Sequence, residues 1–297
     1  MSPSVEEAFA FLKGLPIPHI KRNRLCMVPP SGRRVYLYTT KSAIRCFSRL
    51  KLDQYLLSQA VSKGAHLIRE RVVALTKKAG SWEIKTIQQV YTAKVLIGAD
   101  GVSSLVRRSL VGELSIADKG VCCGYLAKGL EKEDITLRFL VHRKGYMWLV
   151  PRDDFASLGI GAAEANRSRG LRRELDVFIK TYYPHAEIVS RWGALIPNIK
   201  SVETFRKPLA GSDWILIGDA AGHVSPIIGE GILYALHDGE LAAQAIAEGS
   251  TQRFDRLWRE TYGGKLFRDI GVRKWLYTGV GLEFFVSMLK LQSILPF

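Results

Sequence analysis

The sequence predicts an α/β protein: a parallel, nucleotide-type layer, interrupted by an antiparallel sheet domain and followed by helices. Three observations carry that reading. Two short apolar runs, 94–98 (Lys-Val-Leu-Ile-Gly) and 214–218 (Trp-Ile-Leu-Ile-Gly), each lead into small residues and an acid. Buried strands of open α/β sheets end that way at their ligand-binding edge. Between them, 118–165 breaks into four extended stretches. Beyond 251 the chain reads as helical and becomes increasingly apolar.

Taken in order, residues 4–14 suit a short helix with Ala8, Phe9, Phe11 and Leu12 on one side. Extended signals cover 24–48, with Val35, Leu37 and Tyr38 following a Pro29-Pro30-Ser31-Gly32 turn. A helix is expected over 53–63, closed by Gly64. Strands follow at 66–76, 82–86 and 89–98, the last two as a hairpin, then a helix at 104–110. The antiparallel block comprises 121–127, 136–142, 145–150 and 155–162, followed by helix 171–182 and a strand near 188–195. The second apolar strand opens through a glycine-rich loop into helix 230–248.

A chain of 297 residues suffices for one large domain or two modest ones. Cys26, Cys46 and the adjacent Cys122 and Cys123 lack metal or disulfide spacing and read as buried thiols of a reducing, cytoplasmic setting. The six histidines show no ligand spacing, so no metal is expected. Net charge is +15, and from Lys21 to Lys51 there are nine Lys or Arg and no acid. No nucleic-acid-binding motif accompanies that charge, which leaves solvated faces or an anionic membrane surface. The tail supports the second: Trp275, Phe284, Phe285, Met288, Leu291 and Leu295 lie near Arg273, Lys274 and Lys290. No run is long enough to span a bilayer, and the N-terminus reads as neither signal nor transit peptide.

Chemistry concentrates at the two strand ends. After 94–98 come Ala99, Asp100, Gly101 and a Ser103-Ser104 helix start, where small residues and free N–H groups suit a flat or phosphorylated ligand. After 214–218 come Asp219-Ala220-Ala221-Gly222, then Pro226-Ile227-Ile228-Gly229-Glu230-Gly231. That longer pattern brings backbone N–H groups and a positive helix end to a planar ring. His223 lies inside the same loop. On 145–150, Tyr146 and Trp148 are two apart and share a strand face, as core or as the wall of a cavity.

These residues resemble the DG and GD motifs of the flavoproteins that include aromatic hydroxylases and geranylgeranyl reductases. Gly218 to Gly222 with Pro226 to Gly231, and Tyr146-Met147-Trp148-Leu149-Val150-Pro151-Arg152, favour the reductases. Val150 and Arg152 replace that family's Phe and Lys. Arg49-Leu50-Lys51-Leu52-Asp53 is similar to its arginine motif before a helix. The resemblance implies FAD held by Arg49, Asp100, Gly101, Gly218, Asp219, Pro226, Gly229, Glu230 and Gly231. Tyr146 and Trp148 would line a prenyl chain, with NADPH or ferredoxin as electron donor. No catalytic residue is named.

The implied fold is an incomplete FAD-binding Rossmann-type layer (1–117 and 201–250), an inserted antiparallel substrate domain (118–200) and a C-terminal helical region (251–297). The layer is incomplete because no strand-G-x-G-x-x-G-helix unit precedes Asp100. On that reading the chain begins late and binds FAD weakly, which stoichiometric tight FAD on the purified 297-residue chain would overturn. The expected reaction is reduction of isoprenoid double bonds. The rival readings are a flavin monooxygenase or halogenase and an inactive fragment.

Overall fold

The computed structural model describes residues 3–39 and 43–294, so Met1, Ser2 and Leu295 lie outside it. The chain divides into two compact units, one of 1–67, 121–194 and 275–297, the other of 68–120 and 195–274. The first differs from the expected partition, which placed 1–117 in the flavin layer.

The physical reason is strand pairing. A seven-stranded sheet runs in the order Glu187–Pro197, Lys119–Lys128, Ala156–Ala162, Gly145–Val150, Ile135–Leu140, Arg24–Val28, Val35–Tyr38. Arg24–Val28 joins Ile135–Leu140 in parallel and buries Cys26, Met27 and Val28, so the N-terminal strands complete the large sheet. The turn between them closes with the Gly32 amide on the Pro29 carbonyl at 2.9 Å. Gly32 sits at φ +79°, where glycine carries no Cβ penalty.

One face of this sheet is covered by helix Leu171–Tyr182, which matches its expected span. Leu171, Leu175, Phe178 and Ile179 recur at helical spacing, and all four are buried against Met147, Leu149, Leu158 and Ile160. Truncating the fully buried Leu175 to alanine should cost about 2–5 kcal/mol. Helix Arg49–Ser62 starts four residues before its expected position, since Ser48 is already extended while Arg49 is helical. Thr278 divides the tail: its hydroxyl bonds the Trp275 carbonyl at 2.8 Å and accepts from the Gly281 amide at 2.9 Å as helix Gly279–Ile294 begins.

In the second unit Leu96–Gly98 pairs in parallel with Trp214–Leu216, with Leu96 opposite Trp214. The expected strand 89–98 is therefore split. Val90–Ala93 stays in a three-stranded antiparallel meander with Val72–Lys78 and Ser81–Thr86. Leu96 leaves it, its amide meeting the Asp213 carbonyl at 2.9 Å. Gly98 is closely covered: a Cβ there would lie 2.7 Å from Leu216 and 2.8 Å from Val106. Leu96, Val106, Ile215, Leu216, Phe254 and Trp258 form the core of this unit.

Candidate functional site

In the second unit the two strand ends are built differently. Asp100 turns its carboxylate onto its own chain, accepting from the Leu105 amide at 2.7 Å, the Val106 amide at 3.1 Å and the Ser104 hydroxyl. Ser104 in turn accepts from the Arg107 amide at 2.8 Å. Both side chains therefore cap helix Leu105–Leu110, and Gly101 at φ +80° supplies the turn. Arg107, 2% exposed, reaches the carbonyls of Ala220 and Ala221 at 3.0 and 3.4 Å, which links the first motif to the second. Burial lowers the pKa of that guanidinium from its ordinary value.

The second strand end rests on a buried cluster. Gly218 turns at φ +56°, and its amide donates to Asp238 at 2.7 Å. Asp238, from helix Ile232–Ala247, also meets His223 Nδ1 at 2.9 Å and the Tyr262 hydroxyl. Tyr262 comes from a π-helical turn, Arg259–Gly263, and its hydroxyl lies 2.8 Å from the same His223 nitrogen. His223 and Asp238 are wholly buried, and the Trp258 ring lies 4.6 Å from the imidazole. Burial, followed by the Asp238 charge, pushes the Tyr262 phenol far above its ordinary value. His223 thus points into the core and supports the turn.

Beyond the turn the loop closes on itself. The Ser225 amide bonds the Glu230 carbonyl and the Gly229 amide bonds the Ser225 carbonyl, both at 2.9 Å. Arg273 clamps the Pro226 carbonyl at 2.7 Å. Gly229 needs φ +68°. At Gly231 a Cβ would stand 3.2 Å from Val224 and 3.3 Å from the Asp219 carboxylate, so Asp219 lies against that glycine. Gly231, the N-cap of helix Ile232–Ala247, supplies no side-chain cap.

In the first unit, Tyr146 and Trp148 lie on the sheet face opposite helix Leu171–Tyr182, their rings 5.8 Å apart. Trp192 extends the row, 5.9 Å from Trp148. Glycines make this possible. Trp148 lies over Gly159, where a Cβ would fall 2.1 Å from the ring, and Trp192 over Gly124, at 2.6 Å. Gly159 and Gly124 are cross-strand partners, so two indoles rest on one glycine pair. Arg49 stands exposed in the first turn of its helix, 3.5 Å from Asp53. Its neighbour Lys51 reaches Asp153 at 3.0 Å and Asp154 at 3.6 Å, tying the arginine motif to the loop after Pro151-Arg152.

The chain matches no protein-family model. It is 28% identical to digeranylgeranylglycerophospholipid reductase 2 of Methanothermobacter thermautotrophicus, over 96% of this chain and 80% of that one. Identity is also 28% with the corresponding reductase of Methanothrix thermoacetophila, over 82% of this chain and 68% of the relative. With reductase 1 of Methanococcoides burtonii it is again 28%, but there the chain spans only about half, 49%, of the relative's length. A geranylgeranyl bacteriochlorophyll reductase-like protein of Thermoplasma acidophilum superposes with a TM-score of 0.83 at 22% identity, over 98% of this chain and 80% of that one. In sequence the chain is similar to these geranylgeranyl-type reductases, and it shares the fold of the reductase-like protein. A flavin-dependent brominase shares the fold more loosely, with a TM-score of 0.68 at 16% identity over 99% of this chain and 82% of its own.

The residues of the 218–231 segment fit the ring end of FAD. A side chain at Gly231 would crowd Val224 and Asp219, and the start of the helix behind it carries a positive end. Among the flavin residues expected from sequence, Gly218, Asp219, Pro226, Gly229, Glu230 and Gly231 fall on one segment, the short helix Gly218–Ala221 and the loop after it. Asp100 and Gly101 belong to the same unit, with Asp100 engaged in capping. Arg49, Tyr146 and Trp148 belong to the other. Sequence reasoning missed Arg107, Asp238, Tyr262 and Trp192. Only Asp238 carried a signal, as an acid within the largely apolar Ile232–Ala247 helix.

Proposed function

We propose that the protein serves FAD-dependent reduction of C=C bonds in geranylgeranyl-type prenyl chains carried on a lipid, quinone or diphosphate. The carrying observation is the aromatic face: Tyr146, Trp148 and Trp192 over a glycine floor, beside Leu137 and Phe139. Such a surface suits a long apolar chain. The names of the archaeal relatives agree with that substrate class. FAD, when bound and reduced, supplies hydride to one alkene carbon while a proton completes the other.

This chain's residues bind, orient and exclude water. Gly229, Gly231 and the helix end behind them hold the ring, and Asp219 accepts from sugar-like hydroxyls. Arg49, Asp100 and Gly101 complete the cofactor set, and NADPH or a ferredoxin supplies electrons. No described helix is long and apolar enough to cross a membrane. Helix Gly279–Ile294 nevertheless exposes Val280, Phe284, Met288 and Leu291 along one side. With a net charge of +15, that stripe suits peripheral contact with an anionic lipid surface.

An anaerobic assay of the flavin-loaded protein against prenyl diphosphates, ether lipids and quinones tests the reading, with mass spectrometry of the chains. Saturated prenyl product is expected. Substrate-dependent O2 consumption with oxygenated or halogenated aromatics would replace the reading with the oxygenase one.

A further inference from the structure

The basic run from Lys21 to Lys51 is largely accounted for by partners. Arg24 pairs with Asp134 at 2.7 Å, Arg22 bonds the Glu133 carbonyl at 3.2 Å, and Arg45 bonds the Leu12 carbonyl. Arg33 reaches Ser287 at 3.4 Å, Arg49 pairs with Asp53, and Lys51 with Asp153. Arg34 is different. It lines a cavity of about 210 Å3 on the helix-covered face of the large sheet, with Arg138, Thr136, Phe178, Tyr182 and Tyr183. Among the described residues, no carboxylate lines that cavity.

The walls are built to present the two guanidiniums. Arg138 stacks on the Tyr182 ring at 5.1 Å, which fixes the plane of its donor fork. Arg34 lies beside the Tyr36 phenol, which raises the pKa of its guanidinium. It follows the Pro29–Gly32 turn, which helix Gly279–Ile294 pins through a Glu283 carboxylate accepting from the Ser31 amide at 2.7 Å. The Tyr183 phenol, held above its ordinary pKa by burial, stays neutral and remains a donor. Pockets for drug-sized ligands run to roughly 300–1,000 Å3. This cavity therefore suits a small oxyanion with its first waters, met by planar forks that match phosphate geometry.

We infer that Arg34 and Arg138 form a binding site for a phosphate-class oxyanion, on the sheet face opposite Trp148 and separate from the proposed prenyl surface. The anion is either free phosphate or the phosphate of a lipid headgroup.

The test is calorimetric titration of the full chain, in phosphate-free buffer, with inorganic phosphate and with dihexanoyl phosphatidate below its micellar concentration. One-to-one binding is expected for at least one probe. Arg34→Gln and Arg138→Gln should each weaken it by about tenfold or more, and Lys63→Gln on an exposed helix end should leave it unchanged. Equal affinity for both probes identifies free phosphate as the source. Phosphatidate binding at least about tenfold tighter identifies a lipid headgroup. Should either variant fail to fold, arginine Nε–Hε resonances of the unaltered chain decide: phosphate must shift arginine signals together with tyrosine ring signals. Absence of binding by both probes overturns the site, as does undiminished binding in a folded variant or unmoved resonances.

Discussion

The two strand ends of the second unit look alike in sequence and are held by opposite means. Leu96–Gly98 runs into Asp100, whose carboxylate closes on amides five and six residues ahead. Trp214–Leu216 runs into Gly218, whose amide is held by Asp238, twenty residues on, within a cluster completed by Tyr262. One turn is a self-contained cap, and the other is suspended from the core. A turn that must keep its loop face open for a ligand is best braced from behind. Asp238, His223 and Tyr262 provide that brace from the core side, where all three side chains are buried.

Asp238→Ala should break this contrast most severely. It strips the Gly218 amide, His223 and Tyr262 of a shared acceptor and should cost about 3–5 kcal/mol in urea unfolding. Gly218→Ala comes next. At φ +56° the backbone penalty is about 1–2 kcal/mol, and the new Cβ would stand 3.4 Å from that of Ala235. Gly101→Ala sharpens the comparison, for it faces the same backbone penalty at φ +80° with nothing within 4 Å. It should be the milder of the two. Asp100→Ala should cost about 1–2 kcal/mol, the worth of a lost helix cap, and leave His223 and its surroundings unmoved in NMR spectra.

Tyr262→Phe is the smallest at neutral pH, at about 1 kcal/mol for one hydrogen bond, but it carries a pH signature. Since burial raises the folded-state phenol above its ordinary value, the unfolded chain releases its proton first as pH rises. That contribution is fully present below about pH 10 and declines above it. Tyr125, Tyr183 and Tyr234 are raised as well, so the variant should flatten the alkaline decline without abolishing it. An unchanged slope between pH 9 and 11 would remove Tyr262 from the brace.

Legibility followed the range of the interaction. Helix Leu171–Tyr182 and strand Gly145–Val150 were readable because period and face repeat within a few residues. The loop from Gly218 to Gly231 was readable because tight turns demand glycine locally. The placement of Arg24–Val28 beside Ile135–Leu140 was not, since over a hundred positions separate the partners and any edge strand would have satisfied its own alternation. Trp192 was equally hidden: its seat on Gly124 depends on which strands adjoin, a choice no single segment records.

By itself, then, the sequence determined the α/β composition, the glycine turns, the pairing of Tyr146 with Trp148 on one face, and the resemblance to geranylgeranyl reductases. Those properties are set by backbone torsions and by side-chain periods of two or about four residues. Only the tertiary structure decided that Asp100 caps its own helix while Asp219 lies against Gly231. It alone decided that Asp238 braces the Gly218 turn and that two arginines far apart in the chain share one cavity. A buried polar group must find its partner wherever packing places one, and packing is a property of the assembled core.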